Sequence, residues 1–152
     1  MIYQPDSTEF RTMLRAYQGC LLWTMSGPDG DENPGDRYTP ERFTAAARTV
    51  CVADCLEFLN RVQNAGLAPW VWQTSDAYAL PGYGPEQFGH DLALSRNEHG
   101  AGFFDRSALD RPLLDILGKP RPGLTLGDTL QDIARCMGSR DVYPACGWIY
   151  CS

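Results

Sequence analysis

From the Thr39-Pro40 pair to Gly66 the chain carries Phe43, Ala47, Val50, Phe58 and Val62 at spacings that fall on one helical face. An N-cap residue and a proline stand at the head of this stretch and a glycine at its end. No other stretch predicts so long a helix, so the remaining elements must be arranged around it. Asp54 falls close to the apolar stripe, which puts it at the stripe's edge or beside a donor.

A first helix is predicted from about Ser7 to Thr24. Asp6 with Glu9 reads as a capping box, Phe10, Met13, Leu14, Tyr17, Leu21 and Leu22 supply the apolar face, and Gly19 weakens the interior. Between these helices, Ser26 to Asp36 combines Gly and Pro with acidic residues and reads as a solvated loop. Leu67 to Gly89 is broken by prolines and glycines and holds many aromatic rings, so regular structure is not expected to persist there. His90 to Arg96 alternates Leu92 and Leu94 with Asp91, Ala93 and Ser95, which predicts a strand. Asn97-Glu98-His99-Gly100 then suits a hairpin turn, with Ala101 to Asp105 as the returning strand. A short helix is expected over Ser107 to Leu117. Another, headed by Thr125 and Asp128, runs through Leu130, Ala134 and Met137 to Gly138. The tail from Asp141 to Tyr150 reads as a second hairpin. The sum is one α+β domain over residues 1–152, three or four helices with a small, mainly antiparallel sheet.

Of the 152 residues, 43% are hydrophobic and 21% charged, the balance of an ordinary globular chain. A net charge of -6 opposes an electrostatic grip on nucleic acid or on an anionic membrane, and favours a partner with basic surface. The first twenty residues lack the apolar core of a secretory signal, and no run is long enough to span a bilayer, which points to the cytoplasm. Without export, Cys20, Cys51, Cys55, Cys136, Cys146 and Cys151 read as thiols rather than as a disulfide framework. Cys51, Cys55, Cys146 and Cys151 have the ligand types for zinc, but neither pair has the spacing of a tight knuckle, and buried structural cysteines are the favoured reading. No P-loop, dinucleotide-binding glycine pattern, H-E-x-x-H or C-x-x-C is present, and no cofactor is implied.

The densest polar cluster runs from Gly89 to Arg106 and holds both histidines. An enzyme or nucleotide-binding reading uses His90, Asp91, Arg96, Asn97 and His99 around a cleft, with Arg96 holding an anion and His99 exchanging a proton. A Ser95-His90-Asp91 set is opposed by the opposite facing of adjacent strand residues, and strand rise separates His90 from His99 too far for a shared metal. The favoured reading is structural, with His90, Asp91, Arg96 and Asp105 pinning the register of the hairpin by hydrogen bonds and ion pairs. Two other features suit a partner surface. One is the acidic loop with Asp29, Asp31, Glu32 and Asp36, and the other is the aromatic group Trp70, Trp72, Tyr78 and Tyr83. Solvation of the loop and packing of the rings are the plainer alternatives.

The string GHDLALSRNEHGAGFFDR, Gly89 to Arg106, resembles the signature of a family of small acidic proteins encoded by bacteriophages and other mobile elements, G-H-D-x-W-L-T-R-N-x-H-G-A-G-F-W-D-R. The resemblance extends with gaps to Leu21-Leu22-Trp23-Thr24, Pro40-Glu41, Ala53-Asp54-Cys55 and Gly147-Trp148-Ile149-Tyr150. Ala93 and Phe104 stand where the family has tryptophans. The resemblance implies an accessory protein in the infected bacterial cytoplasm. There, a binding protein that inhibits a host defence component such as a CRISPR-Cas effector is the specific expectation. A third class, an assembly protein that forms homodimers or larger oligomers, stays open at this point.

Overall fold

A computed structural model describes residues 4–25, 38–72, 78–115 and 117–152. Helix α1 spans Thr8–Thr24, and its N-cap is Ser7, whose hydroxyl accepts from the Phe10 N–H at 3.2 Å. The cap thus lies one residue beyond the expected Asp6. The long helix is present as α2, Ala45–Asn64, but it begins later than Thr39-Pro40 predicts. Pro40–Arg42 forms a separate 3-10 turn, and Phe43 runs extended beside Ile149, whose carbonyl accepts from the Thr44 N–H at 3.0 Å. Thr44 then caps α2 through the Ala47 N–H. A tertiary pairing displaced the local start signal.

The largest departure concerns the central segment. His90 to Arg96 is not a strand, and no hairpin turns at Asn97 to Gly100. Helix α3 spans Pro85–Arg96, with proline in its first turn and Gln87 Oε1 accepting from the Gly84 N–H at 2.9 Å. Asp91, Leu92, Ala93, Leu94, Ser95 and Arg96 are all buried, consecutive in sequence, so the second half of α3 is enclosed on every side and shows no one-faced stripe, while Glu86, Gln87 and His90 leave one side of its first half open. It packs directly on α1. A Cβ built on Gly89 would stand 2.0 Å from the Met13 carbonyl oxygen, so only glycine allows the two helices this approach. Ala101 to Asp105 follows as a turn with 3-10 geometry at Phe103–Asp105, and Ser107–Leu109 forms another.

In place of the expected helix toward Leu117, β1 (Pro112–Leu114) pairs antiparallel with β2 (Pro120–Thr125). Helix α4, Leu126–Cys136, opens on Thr125, whose hydroxyl accepts from the Asp128 N–H at 3.1 Å, as its sequence predicts. The tail hairpin is also present, with β3 (Val142–Ala145) paired to β4 (Trp148–Cys151). Its tight turn uses two positive φ angles, at Cys146 and Gly147, the geometry that suits the twist of a two-residue hairpin. The fold is α+β, with four α-helices and two separate two-stranded sheets among the described residues. One hydrophobic cluster draws on all four helices, and Phe58, Phe88 and Phe103 meet within it at ring separations of 5.4 to 5.7 Å.

Candidate functional site

Helix α3 carries two buried charges, one midway along it and one at its last residue. Midway, Asp91 is 1% exposed and takes a two-pronged ion pair from Arg106, with Nη2 at 2.7 Å and Nε at 2.9 Å from Oδ1. The Tyr83 hydroxyl donates to the other carboxylate oxygen at 2.7 Å. Burial alone would raise the Asp91 carboxyl, but His90, Arg106 and Tyr83 outweigh it and hold the group below its ordinary value. Burial first, and then the negative charge of Asp91, pushes the Tyr83 phenol far up, so it remains a neutral donor.

At the C-terminal end of α3 Arg96, 3% exposed, bonds in four directions. Its Nη1 lies 3.0 Å from Asp54 and donates to the Tyr17 hydroxyl at 2.9 Å, while Nε and Nη2 donate to the carbonyls of Gly138 and Met137. Asp54 also accepts from Tyr17 and from Arg140, whose Nε and Nη2 reach its two oxygens at 2.8 and 3.0 Å. The donor expected beside Asp54 is therefore a pair of arginines. Asn97 exchanges hydrogen bonds with the Arg140 backbone in both directions. Ser95 Oγ accepts from the Phe103 N–H and donates to Gln131, and Gly102, with φ of 145°, has its would-be Cβ position 2.2 Å from that oxygen. Asp105 accepts from the Gly102 N–H. Each of these polar groups is committed to holding one element against another.

The histidines belong to different places. His99 is exposed beyond the end of α3 and lines a cleft of about 340 Å³ with Asn97, Arg140 and Asp141. His90 lines a different cleft, of about 450 Å³, with Tyr83, Glu86, Asp91, Arg106 and Ser107. The set His90, Asp91, Arg96 and His99 is thus divided, and Arg96 is sealed from both clefts' solvent. Ser95 is likewise occupied, so no Ser95-His90-Asp91 relay is assembled. The residues expected to pin a hairpin pin helices and a turn instead.

His90 is 46% exposed, and its Nδ1 stands 3.8 Å from Asp91, an ion-pair distance longer than a hydrogen bond. The Asp91 carboxylate foremost, then the Cys20 thiol, raises the imidazole to about 10. The folded pKa lies above the ordinary 6.5, so the stabilisation from His90 is complete below about pH 6.5 and is lost as pH rises toward 10. Asp91 acts in the opposite sense, its contribution disappearing as pH falls below its ordinary 3.8. Urea unfolding from pH 6 to 10 should show a decline that His90→Gln flattens. A His90→Gln curve parallel to the parent would contradict the ion pair.

Of the aromatic group, Trp70 and Tyr83 are buried, and Trp70 packs edge-on to Tyr78 at 4.9 Å. Trp72 and Tyr78 are half-buried, and Trp72 shares a cleft of about 290 Å³ with Trp70 and Phe88. Asp29, Asp31, Glu32 and Asp36 lie outside the described residues. The thiols also scatter. Cys51 and Cys151 have sulfurs 4.0 Å apart, Cys55 is buried, and Cys146 is exposed at the tail turn. Among the described residues no three metal-ligating side chains gather. No helix among them is long and apolar enough to cross a membrane.

The sequence reading missed one surface. Tyr143, Trp148 and Tyr150 stand on the outer face of the tail hairpin at 47, 44 and 36% exposure, while Val142 and Ile149 face the core. The alternation within Trp148-Ile149-Tyr150 was the available signal. Comparison with protein-family models, with curated proteins and with solved structures gives no match to this chain.

Proposed function

We propose that the chain is an accessory protein of a bacteriophage or related mobile element that binds a host bacterial defence component, such as a CRISPR-Cas effector, and inhibits it by protein-protein contact. The observation supporting this is a separation of chemistry between interior and surface. Asp91, Ser95, Arg96 and Arg106 of the Gly89 to Arg106 segment are engaged internally, whereas the tail hairpin presents three rings outward. Tyr143 stacks on Tyr150 at 5.6 Å and Arg42 lies over Trp148 at 5.5 Å, so the rings are braced before any partner arrives. Braced aromatic side chains give up little freedom on binding and are the commonest anchors of protein interfaces. The net charge of -6 complements an effector whose own surface is built to hold nucleic acid. The defence setting, and the host cytoplasm as its place, rest on the resemblance of the Gly89 to Arg106 string.

The test uses purified effectors from bacteria that carry such elements, with binding and target cleavage measured together. Stoichiometric inhibition is expected, and Trp148→Ala combined with Tyr150→Ala should weaken binding at least about tenfold in a variant that still unfolds cooperatively. Reversal of Asp29, Asp31, Glu32 and Asp36 should slow association. Folded protein that neither binds nor inhibits any effector in the panel would end this reading. A dimer that dissociates in the Trp148 and Tyr150 variant would instead assign the rings to self-association.

A further inference from the structure

A cleft of about 200 Å³ lies between α1 and the segment leading into α2, remote from the His90 cleft and sharing no lining residue with it. Arg11, Leu14, Arg15 and Gln18 line it from one face of α1, Arg48 from the first turns of α2, and Glu41 from the intervening 3-10 turn. In a chain of net charge -6, three guanidinium groups here face a single carboxylate. Arg15 pairs with Glu41, and Arg11 donates to the Asp6 carbonyl. The side chain of Arg48 has no hydrogen bond or ion pair among the described residues.

A second observation is independent of charge. Gln18 is 5% exposed, and its Nε2, closed to solvent, has no acceptor among the described residues. Buried donors are nearly always paired, and an orphan on a residue that lines a cation-rich cleft gains an acceptor when its side chain turns toward an anion bound there. Guanidinium groups and an amide N–H are donors only, so the complementary ligand is an anion rich in acceptor oxygens. With Glu41 in place the cleft holds two uncompensated positive charges, which a phosphate monoester, nearly dianionic at neutral pH, would match. A phosphodiester carries half that charge and would bring its flanking chain against an acidic protein.

We propose that the Arg11, Arg15, Gln18 and Arg48 cleft binds the phosphate monoester group of a small molecule, with Glu41 as an internal competitor for Arg15. Glu41 is suited to that part, because hydrogen bonds from Thr39 and then Arg15 bring its carboxyl down to about 2 and keep it ionised. Removing its charge should therefore improve binding, a sign that ordinary loss of contacts does not produce.

Titration calorimetry at low ionic strength tests this with inorganic phosphate, a nucleoside 5′-monophosphate and dimethyl phosphate. Both monoester-type probes should bind and the diester should bind at least about tenfold more weakly. Arg48→Ala should weaken phosphate about tenfold and Gln18→Leu about threefold, whereas E41Q should tighten it at least about threefold. A nucleotide that binds better than phosphate would place the base in the site as well, and equal affinities would confine recognition to the phosphate. Arg48 is exposed, so its variant is expected to fold, and thermal unfolding of each variant confirms that a lost heat is lost binding. No heat from either probe up to about 10 mM, or affinities unmoved by Arg48→Ala and E41Q, would overturn the proposal.

Discussion

Replacing Asp54 by alanine is expected to destabilise the fold by about 3–5 kcal/mol, a large share of what a domain of this size possesses. Among the described residues the carboxylate is the one anion that Arg96 meets at contact distance, and Arg96, at 3% exposure, has no route to water. Its removal leaves a guanidinium buried without a counter-charge and the Tyr17 hydroxyl without its acceptor. Arg140 shares the same carboxylate, but its side chain is 23% exposed and can turn toward solvent. Arg140→Ala should accordingly cost about 1–2 kcal/mol less than Asp54→Ala. Urea denaturation of both variants measures the difference. Equal losses would mean that Arg96 finds other compensation in the folded state.

Gly89→Ala should lower stability by about 3 kcal/mol, the upper end of what an added methyl group costs in a packed interior. Alanine is ordinarily the better helix former by about 1 kcal/mol, so the expected sign is opposite to propensity. The cause is a backbone obstacle: the new carbon would stand 2.0 Å from the Met13 carbonyl oxygen and 3.0 Å from the Tyr17 nitrogen, and neither can rotate away. Helix α3 would have to lift from α1 and loosen Phe88 and Leu92 with it. Gly19 provides the control, since nothing lies within 4 Å of its would-be Cβ. Gly19→Ala should stabilise by about 0.5–1 kcal/mol. Thermal melts of the two single variants moving in the same direction would refute the close-approach argument.

These two positions also show how far the sequence could be read. Helices α1 and α4 and the tail hairpin announced themselves through local chemistry: a capping hydroxyl, an apolar stripe with one face, and a turn able to take positive φ. Helix α3 did not, because its second half is buried all round and has no stripe, and Leu92 and Leu94 flanking Ala93 imitate a strand's alternation. The start of α2 was misplaced because Phe43 and Thr44 answer to Ile149, more than a hundred residues away. Within the polar segment the residue types were legible as structural, but their partners were not. Arg106 reaches back 15 positions to Asp91, and Arg140 reaches 86 to Asp54. The orphaned amide of Gln18 and the arginines around it left no motif at all, since they are assembled from two helices and a turn.

The junction at Asp54 gathers side chains from positions 17, 54, 96 and 140, spread over nearly the whole chain. During synthesis on the ribosome, the first three can emerge and collapse, but Asp54 and Arg96 remain an incomplete knot until the stretch with Arg140 and the tail hairpin is released. Such a chain offers no self-sufficient early fragment, so a prematurely terminated product should be cleared by proteolysis instead of persisting as a partial copy. The hairpin that displays Tyr143, Trp148 and Tyr150 follows Arg140 directly in sequence, so these rings take their places on a domain whose Asp54 junction is already able to close.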